Sequence, residues 1–104
     1  MFTLSQNYPN PFNPTTTIEF ELAKDALVTL KVYNTLGQEV ATLANKEEFG
    51  EGANDLEFDA SNLPSGVYYY RIYAEGVSAS GRVAEDPEGK GVLFSSVKKM
   101  LLVK

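Results

Sequence analysis

The sequence predicts an all-β chain, an antiparallel β-sandwich of about seven short strands. Three observations support this. Apolar and polar residues alternate with period two in run after run, turns containing glycine or asparagine recur between the runs, and no stretch holds a 3.6-residue apolar period beyond one turn. With 104 residues, 43% of them apolar, a single domain with one core is expected over 1–104. Residues 1–14 are expected to form an extended, Pro-rich leading segment and 15–104 the sandwich itself.

In the leading segment Pro9, Pro11 and Pro14 forbid helix and favour extended or turn backbone, so the chain is expected to wrap a sandwich edge, with Tyr8 and Phe12 anchored on the core. The first strand follows: Ile18, Phe20 and Leu22 face one way, and Thr17, Glu19 and Glu21 the other. Lys24 and Asp25 supply a turn, after which Val28, Leu30 and Val32 alternate with Thr29, Lys31 and Tyr33. These two runs are expected to pair as an antiparallel hairpin. Asn34 to Gly37 closes the second strand, a third is expected from Gln38 to Leu43, and a charged, glycine-bearing loop from Asn45 to Gly52 leads to a fourth from Asn54 to Phe58.

The turn Leu63-Pro64-Ser65-Gly66 feeds Val67 to Ala74, whose valine, isoleucine and tyrosines make it the strongest β-former of the chain and the expected central strand. Tyr68 lies just beyond a Pro and a Gly, the arrangement of a tyrosine corner, in which the hydroxyl bonds backbone a few residues upstream. Alternation then puts Tyr70 and Ile72 inside with Tyr68, and leaves Val67, Tyr69, Arg71 and Tyr73 outside, joined by Tyr33. Cross-strand packing is the commoner role for such an outer row; a stacking platform for sugars or bases is the alternative. Residues 75–93 are polar and read as an extended hairpin or an irregular insertion. Glu85, Asp86 and Glu88 within it lack the spacing and terminal bidentate glutamate of a calcium loop, and are expected to be plain acidic loop residues. The last strand, Phe94 to Lys104, is expected to bury Met100 and Leu102 together with Val97, and to expose Lys98, Lys99 and Lys104 as a positive patch beside a free strand edge.

Composition narrows the chemistry. Cysteine, histidine and tryptophan are absent, which removes thiolate and imidazole catalysis, and Glu19, Glu21, Glu57 and Asp59 fall on strands or turns as ordinary outward carboxylates. Neither an enzymatic activity, a cofactor, a metal nor a small-molecule substrate is expected. A net charge of −5, from nine basic and fourteen acidic residues, is the wrong sign for a nucleic-acid partner. No apolar run approaches the roughly 20 residues that span a bilayer, and Met1 to Leu4 is too short for a signal peptide. The expectation is either a cytosolic protein or a module of a longer, exported chain.

Five segments then carry a resemblance. Asn7-Tyr8-Pro9-Asn10-Pro11-Phe12-Asn13-Pro14, Val28 to Asn34, Leu36-Gly37-Gln38-Glu39-Val40, Leu63-Pro64-Ser65-Gly66-Val67-Tyr68 and Val97 to Lys104 stand in an order that resembles the C-terminal sorting domain, type A, of the bacterial type IX secretion system. A shorter stretch, Val28 to Ile72, also resembles the immunoglobulin-like domain of flagellar hook-capping proteins, so the sandwich is expected to be immunoglobulin-like. The first resemblance implies a module of a protein exported by Bacteroidetes and related phyla: through the periplasm, then to the cell surface or medium. Its partners would be the outer-membrane translocon with its shuttle proteins, a sortase-like peptidase that removes the domain and attaches the cargo to the surface, and an N-terminal cargo domain. Cleavage would fall near or before Met1 to Gln6. Recognition is expected to rest on Val97, Lys98, Lys99, Met100, Leu102 and Lys104, with Gly66 and Tyr68. The chain departs from the family pattern between Val77 and Phe94, where a short turn is usual.

Two other functions are compatible with such a sandwich: a carbohydrate-binding or adhesive module of a secreted glycoside hydrolase, and a structural spacer. The missing tryptophan weakens the first. A sorting domain must end its protein whereas a spacer need not, so the place of the Val97–Lys104 segment favours sorting.

Overall fold

The computed structural model describes residues 1–77 and 91–104; Glu85, Asp86 and Glu88 lie outside the described residues. Seven strands, β1 (Thr3–Leu4), β2 (Thr15–Leu22), β3 (Ala26–Tyr33), β4 (Glu39–Phe49), β5 (Gly52–Asp59), β6 (Gly66–Gly76) and β7 (Val92–Leu102), make up two antiparallel sheets. One has the order β1-β2-β5 and the other β4-β3-β6-β7. There is no helix among the described residues. This is the all-β, immunoglobulin-like sandwich that the alternating runs predict.

Alternation decides the core, because a strand with one buried face must put every second residue inward. Ile18, Phe20 and Leu22 of β2 meet Val28, Leu30 and Val32 of β3, Tyr70, Ile72 and Ala74 of β6 and Met100 and Leu102 of β7, all buried. Phe58 and Phe12 close one end with ring centroids 6.2 Å apart, and Phe20 meets Phe49 edge-on at 5.3 Å. β6 is central as expected, flanked by β3 and β7. The Tyr68 hydroxyl donates to the Pro64 carbonyl at 2.6 Å, so the tyrosine corner forms. Gly66, at φ 153°, opens β6 in backbone that a side chain would disfavour.

Two expectations are corrected. β2 and β3 do not form a hairpin: β2 pairs with β5 and β3 with β6, and the 23–25 turn carries the chain from one sheet to the other. Both runs are half-apolar strands joined by a short turn, a pattern shared by a hairpin and a sheet-to-sheet crossing. The difference lies in which partners bury the two inner faces. The second correction concerns residues 45–49, expected as loop. They continue β4 to Phe49 across from Ala26 to Val28, after a bulge at which Lys46 takes φ 51° and donates its N–H to the Thr29 hydroxyl at 3.2 Å. β4 is an edge strand, so its charged residues Lys46, Glu47 and Glu48 face solvent and the period of two that betrays a strand is lost.

Candidate functional site

The site grows from the leading segment. Residues 3–8 run along the free edge of β2: Ser5 N–H donates to the Glu19 carbonyl at 2.9 Å, and Tyr8 and Thr17 exchange two backbone bonds of 3.0 Å each. The segment then crosses to the other sheet. Phe12 N–H donates to the Leu101 carbonyl at 3.0 Å and Val103 N–H donates to the Phe12 carbonyl at 2.9 Å, so Phe12 adds one parallel bridge to the outer edge of β7. The strap thus bonds both sheets on one side of the sandwich. Phe12 is buried as expected, whereas Tyr8 is 81% exposed and anchors nothing.

Asn7 replaces Tyr8 as the second anchor. It is buried, its Nδ2 donates to the Pro9 carbonyl at 3.1 Å and to the Thr16 hydroxyl at 3.0 Å, and its backbone N–H donates to the Tyr70 hydroxyl at 2.8 Å. The Tyr70 hydroxyl in turn donates to the Ser5 carbonyl at 2.7 Å. Prolines cannot donate, so Asn7 ahead of them and Asn10 between Pro9 and Pro11 supply the asparagine bonds of the strap. The asparagines themselves were the signal for this network in the sequence.

Burial pushes the Tyr70 phenol up to about 12, well above its ordinary 10.0. The folded state therefore favours the neutral phenol. The stability this contributes is fully present below the unfolded value near pH 10 and is lost as pH rises from about 10 to 12. A urea midpoint that holds up to about pH 10 and then drops, alongside one late-titrating tyrosine in the phenolate absorbance, is the expected result. Tyr70→Phe should abolish the late titration and cost about 1–3 kcal/mol, since it leaves the Asn7 N–H and the Ser5 carbonyl without their partner.

β7 is an edge strand with two unlike halves. Towards its C-terminus the strap covers the edge: besides the Phe12 bridge, Leu101 N–H donates to Asn10 Oδ1 at 3.0 Å, and Gln6 Nε2 donates to the Lys99 carbonyl at 2.7 Å. Leu101 turns its backbone away from β6, and in an antiparallel ladder Lys99, Val97 and Ser95 do the same. For Val97 and Ser95 the described residues provide no such partner.

The residues expected to carry recognition divide between two faces. Met100 and Leu102 are buried, and stand opposite Tyr68 and Gly66 in the ladder, so these four belong to one packed end of the sandwich. Val97 is 49% exposed on the outer face, not buried as expected. Lys98 and Lys99 do not form one patch: Lys98 shares the inward side with Tyr70 and is half-buried, whereas Lys99 is exposed on the outward side. Successive residues of a strand point oppositely, and the adjacent lysines obey that rule. Lys104 lies apart, its Nζ donating to the Ser61 carbonyl at 2.7 Å and its N–H to the Ser65 hydroxyl at 3.0 Å. The sequence reading missed Gln6, Asn7 and Asn10.

Among the described residues no cluster of histidine, cysteine, aspartate or glutamate could hold a metal ion. No helix among the described residues is long and apolar enough to cross a membrane. Comparison with curated proteins and with solved structures gave no match. A family model described as the secretion system C-terminal sorting domain matches residues 6–84, which takes in the strap, the tyrosine corner and β2 to β6 and stops short of β7. The chain belongs to the family of secretion system C-terminal sorting domains, the sorting signals of type IX secretion.

Proposed function

We propose that the outer-membrane translocon of the type IX system takes hold of this domain at the edge of β7, and so carries an N-terminally attached cargo to the cell surface or medium. The single observation that carries the sorting role is the family match over residues 6–84; it ends before β7, so the contact at β7 rests on the geometry alone. The geometry supports β7 as the contact. An edge at which the N–H and C=O groups of Ser95 and Val97 find no partner among the described residues suits strand addition, and the strap beside it keeps the remainder of the edge paired until a partner arrives. A sortase-like peptidase would then cut ahead of the strap, near or before Met1 to Gln6. A cut there leaves the Asn7 and Phe12 anchors with the domain.

The test is a fusion of residues 1–104 to the C-terminus of a signal-peptide-bearing fluorescent reporter, in a bacterium with an intact type IX system. Reporter on the surface or in the medium, and held back in a translocon mutant, is the expected outcome. Reporter retained in the periplasm of the intact strain would overturn the reading.

A further inference from the structure

On the outer face of the four-stranded sheet, an open groove of about 400 Å³ is lined by Tyr33 of β3, Asn34, Thr35 and Gly37 of the β3–β4 turn, Tyr69 and Arg71 of β6, and Val97 of β7. Its floor is set by register. Tyr33 stands opposite Tyr69, and Lys31 opposite Arg71, which in turn stands opposite Val97. The wall is rigid, because Asn34 Oδ1 accepts the N–H groups of Leu36 and Gln38 at 2.9 and 3.0 Å, and the backbone closes around Gly37 at φ 82°.

The tyrosine hydroxyls and the charged groups of β3 and β6, inward and outward, are used unequally. The hydroxyls of Tyr68 and Tyr70 are spent on the Pro64 and Ser5 carbonyls, and that of Tyr73 accepts Arg71 Nη1 at 2.9 Å. The hydroxyls of Tyr33 and Tyr69, both in the groove, make no hydrogen bond among the described residues. Lys31 is paired with Glu39 at 3.0 Å, the single ion pair among the described residues. Arg71 is the one charged residue among the described residues that line the groove; the bond to Tyr73 and the packing of its guanidinium 5.7 Å from that ring's centre hold it in place. Lys99 stands next to Tyr69 on the same outward row.

We propose that this groove binds an anionic carbohydrate, a glycan whose sugar rings each carry one carboxylate. Two tyrosine faces suit the C–H side of a pyranose ring, and their free hydroxyls suit its hydroxyl groups. Arg71 lines the groove, and its guanidinium, held beside it by Tyr73, takes the carboxylate in a charge-assisted pair. The charge complementarity is local: in a chain of net charge −5 the groove itself carries one positive charge. Binding here is additional to sorting; the groove shares Val97 with the β7 edge, so it is tested by direct binding to the chain, a readout separate from export.

The test is titration of the 15N-labelled 104-residue chain with an oligogalacturonate of a few units, followed by amide shifts. Saturable shifts confined to Tyr33–Gly37, Tyr69–Arg71 and Val97 are expected, with an about tenfold loss of affinity for Arg71→Gln and a similar loss for Tyr69→Ala. A neutral oligosaccharide of the same length should bind about tenfold more weakly. No shifts at about 10 mM oligogalacturonate would overturn the proposal, as would equal binding of the neutral sugar. Shifts reproduced by acetate alone, or centred elsewhere on the chain, would overturn it too.

Discussion

Removal of residues 100–104 is expected to unfold the domain and abolish export of an attached reporter. The loss takes Met100 and Leu102 out of the core, where both are essentially fully buried. At about 1.5–3 kcal/mol for each buried side chain, these two contribute about 3–6 kcal/mol, against about 5–15 kcal/mol for a whole domain. The ladder partners Gly66 and Tyr68 lose their neighbours as well, and Phe12 and Asn10 lose the backbone they bond on Leu101 and Val103. The measurement is urea denaturation together with reporter export. A midpoint unchanged by the truncation would show that the strand end is not part of the fold. Replacing Leu101 and Val103 with serine is the informative contrast, since these side chains are exposed and their loss should shift stability by no more than about 0.5 kcal/mol each. Export lost in that variant, with the fold intact, would assign recognition to the outward side of β7.

Phe12→Ala should cost about 3–5 kcal/mol, the range for a large aromatic removed from a packed interior. Its ring lies against Phe58, and its backbone makes the one β-bridge between the strap and β7 among the described residues. Loosening it has a second consequence. The N–H of Val103 and the carbonyl of Leu101 lose their strap partner, which adds to the groups at Ser95 and Val97 that have no partner among the described residues. Concentration-dependent association by sedimentation is therefore expected alongside the lowered urea midpoint. A variant that stays monomeric at high concentration, with wild-type stability, would mean that the strap does not guard the edge.

The alternation of Ile18, Phe20 and Leu22, of Val28, Leu30 and Val32, and of Tyr68, Tyr70 and Ile72 was enough to place these residues inside, whereas Thr29, expected on the outer side, is buried too, its hydroxyl accepting the Lys46 N–H at the β4 bulge. The tyrosine corner was equally legible, because it is local: donor and acceptor are only four residues apart along the chain. The 45–49 stretch was not, since an edge strand buries too little for its pattern to differ from a polar loop. Val97 was misplaced for a related reason. In a strand that packs on one side only, the inward parity is set by Met100 and Leu102, and Val97 has the opposite parity however apolar it is.

What the sequence determined by itself was the fold class, the interior face of most strands, the corner at Tyr68 and the family, all of which follow from period, turn chemistry and short motifs. The tertiary structure alone decided that β2 and β3 belong to different sheets, that Asn7 and not Tyr8 pins the strap, and that Lys98 and Lys99 face opposite ways. It also decided that the free and covered halves of the β7 edge lie side by side. Each of these depends on contacts between residues far apart along the chain, such as Asn7 with Tyr70 and Phe12 with Leu101. Which distant strand completes a hydrogen-bond ladder or buries a given side chain is set by the packing of the whole sandwich.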